Sequence, residues 1–373
     1  MRKKTSIALD ACNPNSLEAR PVSEPTARVL SGLPASSDQA EPRRANEEAV
    51  AAHAGVPRGA WPQRTGSIEH DAFAVLAGRS PLWVAAGPWS SGEQSTETLA
   101  TAGAVIAKTV TAEPRAGNPP PVLQSYSRGG YLNRIGLRNV GAHEFVRARL
   151  PIVQACQAPI LQSFTAQSEH EVEVILHALA DQPIVGLELN ASCPNAPSGQ
   201  LEDRVLRSVL RRARQLTRRP IWVKLAYAPA EALRARAQII ADEGADGITA
   251  INTMHALNVT LPDALPSTPS PADVSLFRGG VSGPTLTPLA QWAVDFLVRE
   301  QPLPVIACGG VSSLREVLAF AALGATAVQV GSALLDDAAV LPRLQRELAQ
   351  VAQHSGVTSW QALIEVLCPH KKS

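Results

Sequence analysis

The stretch Leu187-Glu188-Leu189-Asn190-Ala191-Ser192-Cys193-Pro194-Asn195 begins as a mostly apolar run and ends in two asparagines, a serine and a cysteine around one proline. The apolar part suits a buried strand, and the proline stops it by removing a backbone donor. Four polar side chains so close together need a surface or a site. The stretch therefore reads as a strand that delivers polar groups to a pocket at its C-terminal end.

Working outward, similar apolar runs occupy 82–86, 104–108, 160–164, 221–225, 247–252, 304–307 and 327–330, with the quoted strand covering 185–190. Amphipathic stretches at 169–180, 201–216, 229–243, 288–299 and 313–323 lie between several of them. Near-continuous apolar strands alternating with 3.6-period segments are the pattern of parallel strands joined by helices. Eight such strands within about 260 residues fit an α/β chain folded as a (β/α)8 TIM barrel better than a doubly wound sheet. Polar groups recur where the strands end: Lys108-Thr109, Lys224, Asn252-Thr253, Gly309-Gly310 and Gly331-Ser332. Two inserted segments interrupt the rhythm, at 111–141 and 254–283. Their Gly, Pro and Asn content reads as structured loop in the first and as a Pro-rich connection in the second.

Residues 1–67 differ from the barrel at 68–373. Pro, Ser, Ala, Glu and Arg dominate there, with one helical candidate at 45–52, so the segment reads as a flexible extension. It lacks the apolar core of a secretory signal. The full chain of 373 residues carries a net charge of +1, and nothing global calls for a nucleic-acid partner. No apolar run reaches the ~18–20 residues of a membrane helix. The five cysteines, Cys12, Cys156, Cys193, Cys308 and Cys368, form no CxxC pair, so no metal or disulfide framework is indicated and a cytoplasmic location is expected.

Glycines at the last two strand ends let backbone N–H groups approach an anion, which suggests a phosphate site, although such glycines also simply make tight turns. Lys108 and Lys224 end apolar strands and are open to three uses: a positive charge beside a reduced cofactor, a carboxylate contact or a Schiff-base amine. The bland alternative is a lysine snorkelling to solvent. Cys193, past the strand end among asparagines, suits a nucleophile or general base, whereas Cys308 reads as a merely buried thiol. Asn133, Asn190, Asn195 and Asn252 together would suit a flat neutral ring rich in amides, while singly each is an ordinary turn residue.

These motifs, with Lys108-Thr109-Val110-Thr111, Glu113-Pro114-Arg115, Gly117-Asn118-Pro119, Gly279-Gly280-Val281-Ser282-Gly283-Pro284 and Gly309-Gly310-Val311, resemble the dihydroorotate dehydrogenase family of FMN-dependent barrels. The resemblance implies oxidation of dihydroorotate to orotate, with Cys193 removing the C5 proton as in the family's soluble, cysteine-using class. It implies substrate contacts at Lys108, Asn133, Ile135, Gly136, Leu137, Asn190, Asn195, Asn252 and Thr253. FMN contacts would fall on Ala86, Gly87, Lys108, Thr109, Asn190, Lys224, Asn252, Gly283, Gly309, Gly310, Gly331 and Ser332. No iron–sulfur cysteine cluster is present, so electrons would leave to a soluble acceptor or a separate electron-transfer subunit, from a homodimer. Arg134 and Val140 depart from the usual pattern and would support the second reading, an FMN-dependent paralogue acting on another cyclic amide such as dihydrouracil or a biosynthetic intermediate. A lyase using Lys108 or Lys224 as an imine-forming amine is the non-redox alternative.

Overall fold

The structure, a computed structural model, describes residues 80–87, 96–191, 200–262, 264, 266–268 and 270–368. The chain separates into two units, Met1–Trp61 and Pro62–Ser373, and every described residue belongs to the second. The helix expected at 45–52 and the whole 1–67 extension lie outside the described residues.

The strands are β1 (Leu82–Val84), β2 (Val105–Val110), β3 (Leu123–Ser127), β4 (Gly130–Asn133), β5 (Ile160–Phe164), β6 (Gly186–Asn190), β7 (Ile221–Leu225), β8 (Gly247–Ala250), β9 (Met254–Thr260), β10 (Ser275–Ser282), β11 (Val305–Cys308) and β12 (Ala327–Val330). Eight of them, β1, β2, β5, β6, β7, β8, β11 and β12, pair in parallel in chain order, and β12 returns to β1 to close a (β/α)8 barrel. These are the eight strands expected from the apolar runs. The longer helices are α1 (Glu169–Leu179), α2 (Asp203–Leu216), α3 (Ala230–Asp242), α4 (Thr287–Glu300), α5 (Leu314–Ala322), α6 (Val340–Ser355) and α7 (Trp360–Leu367).

Local chemistry explains the helices. At α1 the Ser168 hydroxyl accepts from Glu171 N at 3.2 Å, which caps the first turn. Its buried residues Val172, Ile175, Leu176 and Leu179 follow the i, i+3, i+4, i+7 spacing of a single apolar face. Burying each such side chain contributes about 1.5–3 kcal/mol. Helix α5 opens with a reciprocal capping box between Ser313 and Glu316.

Alternate residues of each barrel strand turn to opposite sides, which produces two apolar regions. The larger one lies between strands and helices. The smaller one fills the barrel interior with Trp83, Ile106, Leu161, Trp222 and Ile306. Trp83 and Trp222 meet edge to face, with ring centroids 6.2 Å apart. One layer further toward the strands' C-terminal ends lie Ser163, Lys224 and Cys308, two positions beyond Leu161, Trp222 and Ile306, together with Glu188 of β6, Thr249 of β8 and Gln329 of β12, and all six are buried. The interior is therefore apolar below and polar toward the C-terminal ends.

The inserted segments differ from the loops expected at 111–141 and 254–283. They hold β3, β4, β9 and β10, which form a second, antiparallel sheet in the order β3-β4-β10-β9. The alternation was hidden because β9 turns Leu257 and Val259 outward, at 48% and 53% exposure, and the glycines and prolines of β10 and its flanks read as turns. Among the described residues no helix is long and apolar enough to cross a membrane.

Gly247 makes room for the Trp222 indole, since a Cβ there would lie 1.9 Å from the ring. Gly247→Ala should cost about 1–3 kcal/mol by overpacking the interior, read as a lower urea midpoint with an unchanged slope. An unaltered midpoint would show that the tryptophan layer has room to shift.

Candidate active site

Lys108, Thr109, Asn190, Lys224, Asn252, Gly309, Gly331 and Ser332 lie at or just beyond the ends of barrel strands. Strand β2 carries a bulge: Ala107 pairs with Gln162 but Val110 pairs with Phe164, so an extra residue is accommodated at Lys108-Thr109. Bulges at barrel rims re-aim side chains. Here the bulge leaves Lys108 half-buried, its carbonyl accepting from Gln162 Nε2 at 2.8 Å. Thr109 Oγ1 and Ser163 Oγ share a hydrogen bond of 2.9 Å.

At the ends of β6 and β8, Asn252 Nδ2 donates to Asn190 Oδ1 at 3.0 Å, and Asn252 Oδ1 accepts from Thr253 N at 2.8 Å. The peptide Ala250–Ile251 just before this pair is cis. The second sheet adds Asn133, which sits opposite Gly280 in the β4–β10 register and donates to the Gly280 carbonyl at 3.2 Å. Gly280 is needed for this approach. A Cβ there would lie 2.3 Å from Thr253 Oγ1 and 3.5 Å from Asn133 Nδ2, so these two side chains are neighbours across it. Asn133, Thr253, Asn252 and Asn190 thus form one contiguous polar edge.

Ile135, Gly136 and Leu137 follow directly. Gly136 and Leu137 both have positive φ, 70° and 57°, and Leu137 is a bulky residue in a conformation it rarely adopts. Asn118 N donates to the Ile135 carbonyl at 3.1 Å, and Asn139 Nδ2 donates to the Leu137 carbonyl at 2.7 Å, which holds the loop in that shape. Arg134, one of the two departures from the family pattern, donates to the carbonyls of Pro121 at 2.8 Å and Pro119 at 3.3 Å and lies over the Phe277 ring. Val140, the other, packs against the outer core. Both are used in holding the loop.

The glycine turns adjoin one another. Gly283, Gly309 and Gly310 have φ of 95°, 132° and 73°. A Cβ on Gly310 would lie 2.1 Å from Thr287 Oγ1 and 3.1 Å from the Gly283 carbonyl, so the turns after β10 and β11 pack together. Gly331 begins the turn after β12, beside Ala85, and Ser332 precedes the short helix Ala333–Asp336. Ala86 and Gly87 are half-buried at the end of β1. The second sheet is fastened to this side by Tyr126, whose hydroxyl shares a 2.8 Å hydrogen bond with Thr285, and by Tyr131, whose hydroxyl donates to Asp336. Burial first, and then the Asp336 carboxylate, push the Tyr131 phenol above its usual range.

Lys224 does not snorkel to solvent. It is 5% exposed, and its Nζ donates to Gln329 Oε1 at 2.9 Å. Gln329 Nε2 donates to Glu188 Oε2 at 2.7 Å, and Thr249 Oγ1 donates to the same oxygen at 3.1 Å. Burial by itself would lower the Lys224 pKa; the negative charges that Cys308 and Glu188 present outweigh it and hold the ammonium above its ordinary value. Burial pushes the Cys308 thiol up despite the neighbouring ammonium. A lysine held protonated is a poor imine-forming amine, which counts against Lys224 in a Schiff-base reaction.

Ser192, Cys193, Asn195 and the rest of 192–199 lie outside the described residues, so the expected base and the fourth asparagine are not placed. The interior residues Ser163, Glu188, Thr249 and Gln329 received no role from the sequence. A signal existed for two of them, because Glu188 and Gln329 are polar residues inside otherwise apolar strands.

The fold and mouth define a (β/α)8 barrel with an amide-lined site and consecutive glycine turns. A model of the dihydroorotate dehydrogenase family matches residues 72–352, and the chain belongs to that family of CH–CH oxidoreductases. It is 33% identical over 296 residues to the dihydroorotate dehydrogenase B (NAD(+)) catalytic subunit of Geobacter metallireducens, spanning 78% of this chain and 94% of that one. The subunit of the same name from Listeria monocytogenes is 31% identical over 295 residues, spanning 77% and 94% of the two chains. The crystal structure of a dihydroorotate dehydrogenase in complex with ferulenol from Eimeria tenella agrees in fold, with a TM-score of 0.60 at 21% identity over 76% of this chain and 84% of that one.

The raised pKa values carry a sign. A group that holds its proton more tightly when folded stabilises the fold fully below its unfolded value, and that stabilisation is lost as pH rises through the folded value. For Cys308 and Lys224 the ordinary values are 9.0 and 10.5. Stability should therefore fall above about pH 9, and Cys308→Ala should flatten the first part of that decline, measured by urea midpoints from about pH 8 to 10. Parallel alkaline slopes in both proteins would exclude the thiol from the effect.

Proposed function

We propose that this chain oxidises dihydroorotate to orotate with FMN, as a pyrimidine-biosynthetic enzyme of the cytoplasm. The observation that supports it most is the polar edge of Asn133, Thr253, Asn252 and Asn190 beside the buried Lys224 cation. Asparagine amides offer donors and an acceptor without charge, the complement of a dihydropyrimidine ring whose edge alternates C=O and N–H. With Asn195 they would hold that ring. Lys108 and the backbone of Ile135, Gly136 and Leu137 would take its carboxylate.

FMN fits the remaining residues. A side chain at Gly283 or Gly310 would strike backbone or Thr287, whereas Gly87 faces open space, with nothing within 4 Å of its Cβ position. Gly283, Gly309, Gly310, Gly331 and Ser332 would hold the ribityl phosphate, and Ala86, Gly87, Lys108, Thr109, Asn190, Asn252 and Lys224 the flavin ring. When bound, FMN would supply the two-electron acceptor, its N5 taking the C6 hydride. Cys193 would take the C5 proton, a role open to a thiol of ordinary pKa ~8.5 once a cationic or desolvated site tunes it. Another cyclic amide remains the second reading, carried by the departures at Arg134 and Val140.

The curated relatives are named as catalytic subunits, which supports a separate electron-transfer subunit as partner; the homodimer rests on the family resemblance alone. The family match beginning at residue 72 supports reading 1–67 as an extension appended to the barrel at 68–373.

Purified protein should be yellow, and anaerobic dihydroorotate should bleach it; a flavin spectrum left unchanged would overturn the substrate. Cys193→Ser should keep the flavin but slow its reduction by about 10²-fold or more, most severely near neutral pH, in stopped-flow traces. Native reduction rates in that variant would remove Cys193 from the base role.

A further inference from the structure

Glu188 lies inside the barrel, fully buried, on the strand that carries Asn190 into the mouth. A buried carboxylate is costly unless it is paired or richly hydrogen-bonded. Here one oxygen, Oε2, accepts from Gln329 Nε2 at 2.7 Å and Thr249 Oγ1 at 3.1 Å, while Oε1 has no hydrogen-bond partner.

The geometry shows what the charge does. A carboxylate only accepts hydrogen bonds, so Gln329 must turn its NH₂ toward Glu188. Its carbonyl oxygen is then obliged to face the other way, where it meets Lys224 Nζ at 2.9 Å. A flipped amide would set oxygen against carboxylate and NH₂ against ammonium, two repulsive contacts at once. The register partners of Lys224 are Asn190 on β6 and Thr249 on β8, both uncharged. The titratable groups acting on it are Glu188 on β6 and Cys308 on β11. Cys308 acts on Lys224 directly, whereas Glu188 reaches it through Gln329.

We propose that Glu188 is a positioning residue, acting through Gln329 to aim Lys224 and supplying the buried negative charge that keeps Lys224 cationic at the mouth. Its consequence for catalysis rests on the flavin reading above, in which the Lys224 cation stabilises negative charge gathering at the pyrimidine end of the reduced ring. Its consequence for Lys224 concerns the bare protein alone.

That division shapes the test. The chain contains six lysines, Lys3, Lys4, Lys108, Lys224, Lys371 and Lys372, so protein labelled with ¹³C at lysine Cε gives few NMR signals, and Lys224→Met assigns the relevant one. In flavin-free native protein the Lys224 signal should remain that of an ammonium through the neutral range. In Glu188→Gln, which keeps size but not charge, its midpoint should fall by at least about one pH unit, a tenfold change in ionisation. Glu188→Asp should retain most of the native value, because it keeps the charge while disturbing packing more. A native midpoint in Glu188→Gln, or an equal fall in Glu188→Asp, overturns the proposal. If Glu188→Gln does not fold, Gln329→Leu leaves the carboxylate but breaks the relay, and a Lys224 midpoint unmoved there overturns it equally.

In flavin-loaded protein, Glu188→Gln should make the flavin midpoint potential more negative and newly dependent on pH where Lys224 titrates. A potential that stays fixed while the Lys224 signal moves would place the failure in the flavin role assigned to Lys224, not in the charge relay. Protein that takes up no flavin would likewise sink the proposed function, and the lysine titration would still decide the role of Glu188.

Discussion

An eight-stranded parallel barrel has an interior just wide enough for side chains, and its strands alternate between that interior and the helices. Every inward residue is thereby committed to a layer. In this chain the lower layer is apolar and contains two tryptophans, and the next layer up is polar, with a carboxylate, an amide and an ammonium joined across three strands. The mouth rests on that polar layer. Asn190 is two residues beyond Glu188, and Asn252 is three beyond Thr249, so the asparagines at the strand ends are fixed by strands whose inner residues are already bonded to one another.

The second sheet solves a different problem. A barrel mouth is open, and small flat rings need walls on several sides. The β3-β4-β10-β9 sheet brings Asn133 over the strand ends and is held there through glycines that permit close approach at Gly280 and Gly283. Gly136 and the strained Leu137 follow immediately, stapled by Asn118, Asn139 and Arg134. Backbone conformations of that kind persist only where the surroundings over-determine them.

Legibility in the sequence followed the physics of burial. The eight barrel strands were readable because both of their faces are covered, which leaves long apolar runs that few other structures produce. Asn190, Asn252 and Lys224 stood out because each is a polar residue at or near the end of such a run; Asn133 stood out only by resemblance, since it lies in the inserted segment. The second sheet was not, since β9 is an edge strand that presents Leu257 and Val259 outward, and alternation then points the wrong way. Glu188 and Gln329 were present in the text as polar residues within strands, but their meaning depends on β6 and β12 facing each other across the barrel. Sequence spacing of 141 residues carries no trace of a 2.7 Å contact.

The paired tryptophans beneath the mouth have an optical consequence. Trp83 and Trp222 are 1% exposed, in dry surroundings, whereas Trp292 is 39% exposed on the outside of α4. The interior pair should emit at shorter wavelengths than the surface indole, in the region where a yellow isoalloxazine ring absorbs. A chromophore seated one layer above them would drain that emission by resonance transfer. With such a chromophore bound, the barrel would have a light-based gauge of its own occupancy, built from residues whose first duty is to fill its floor.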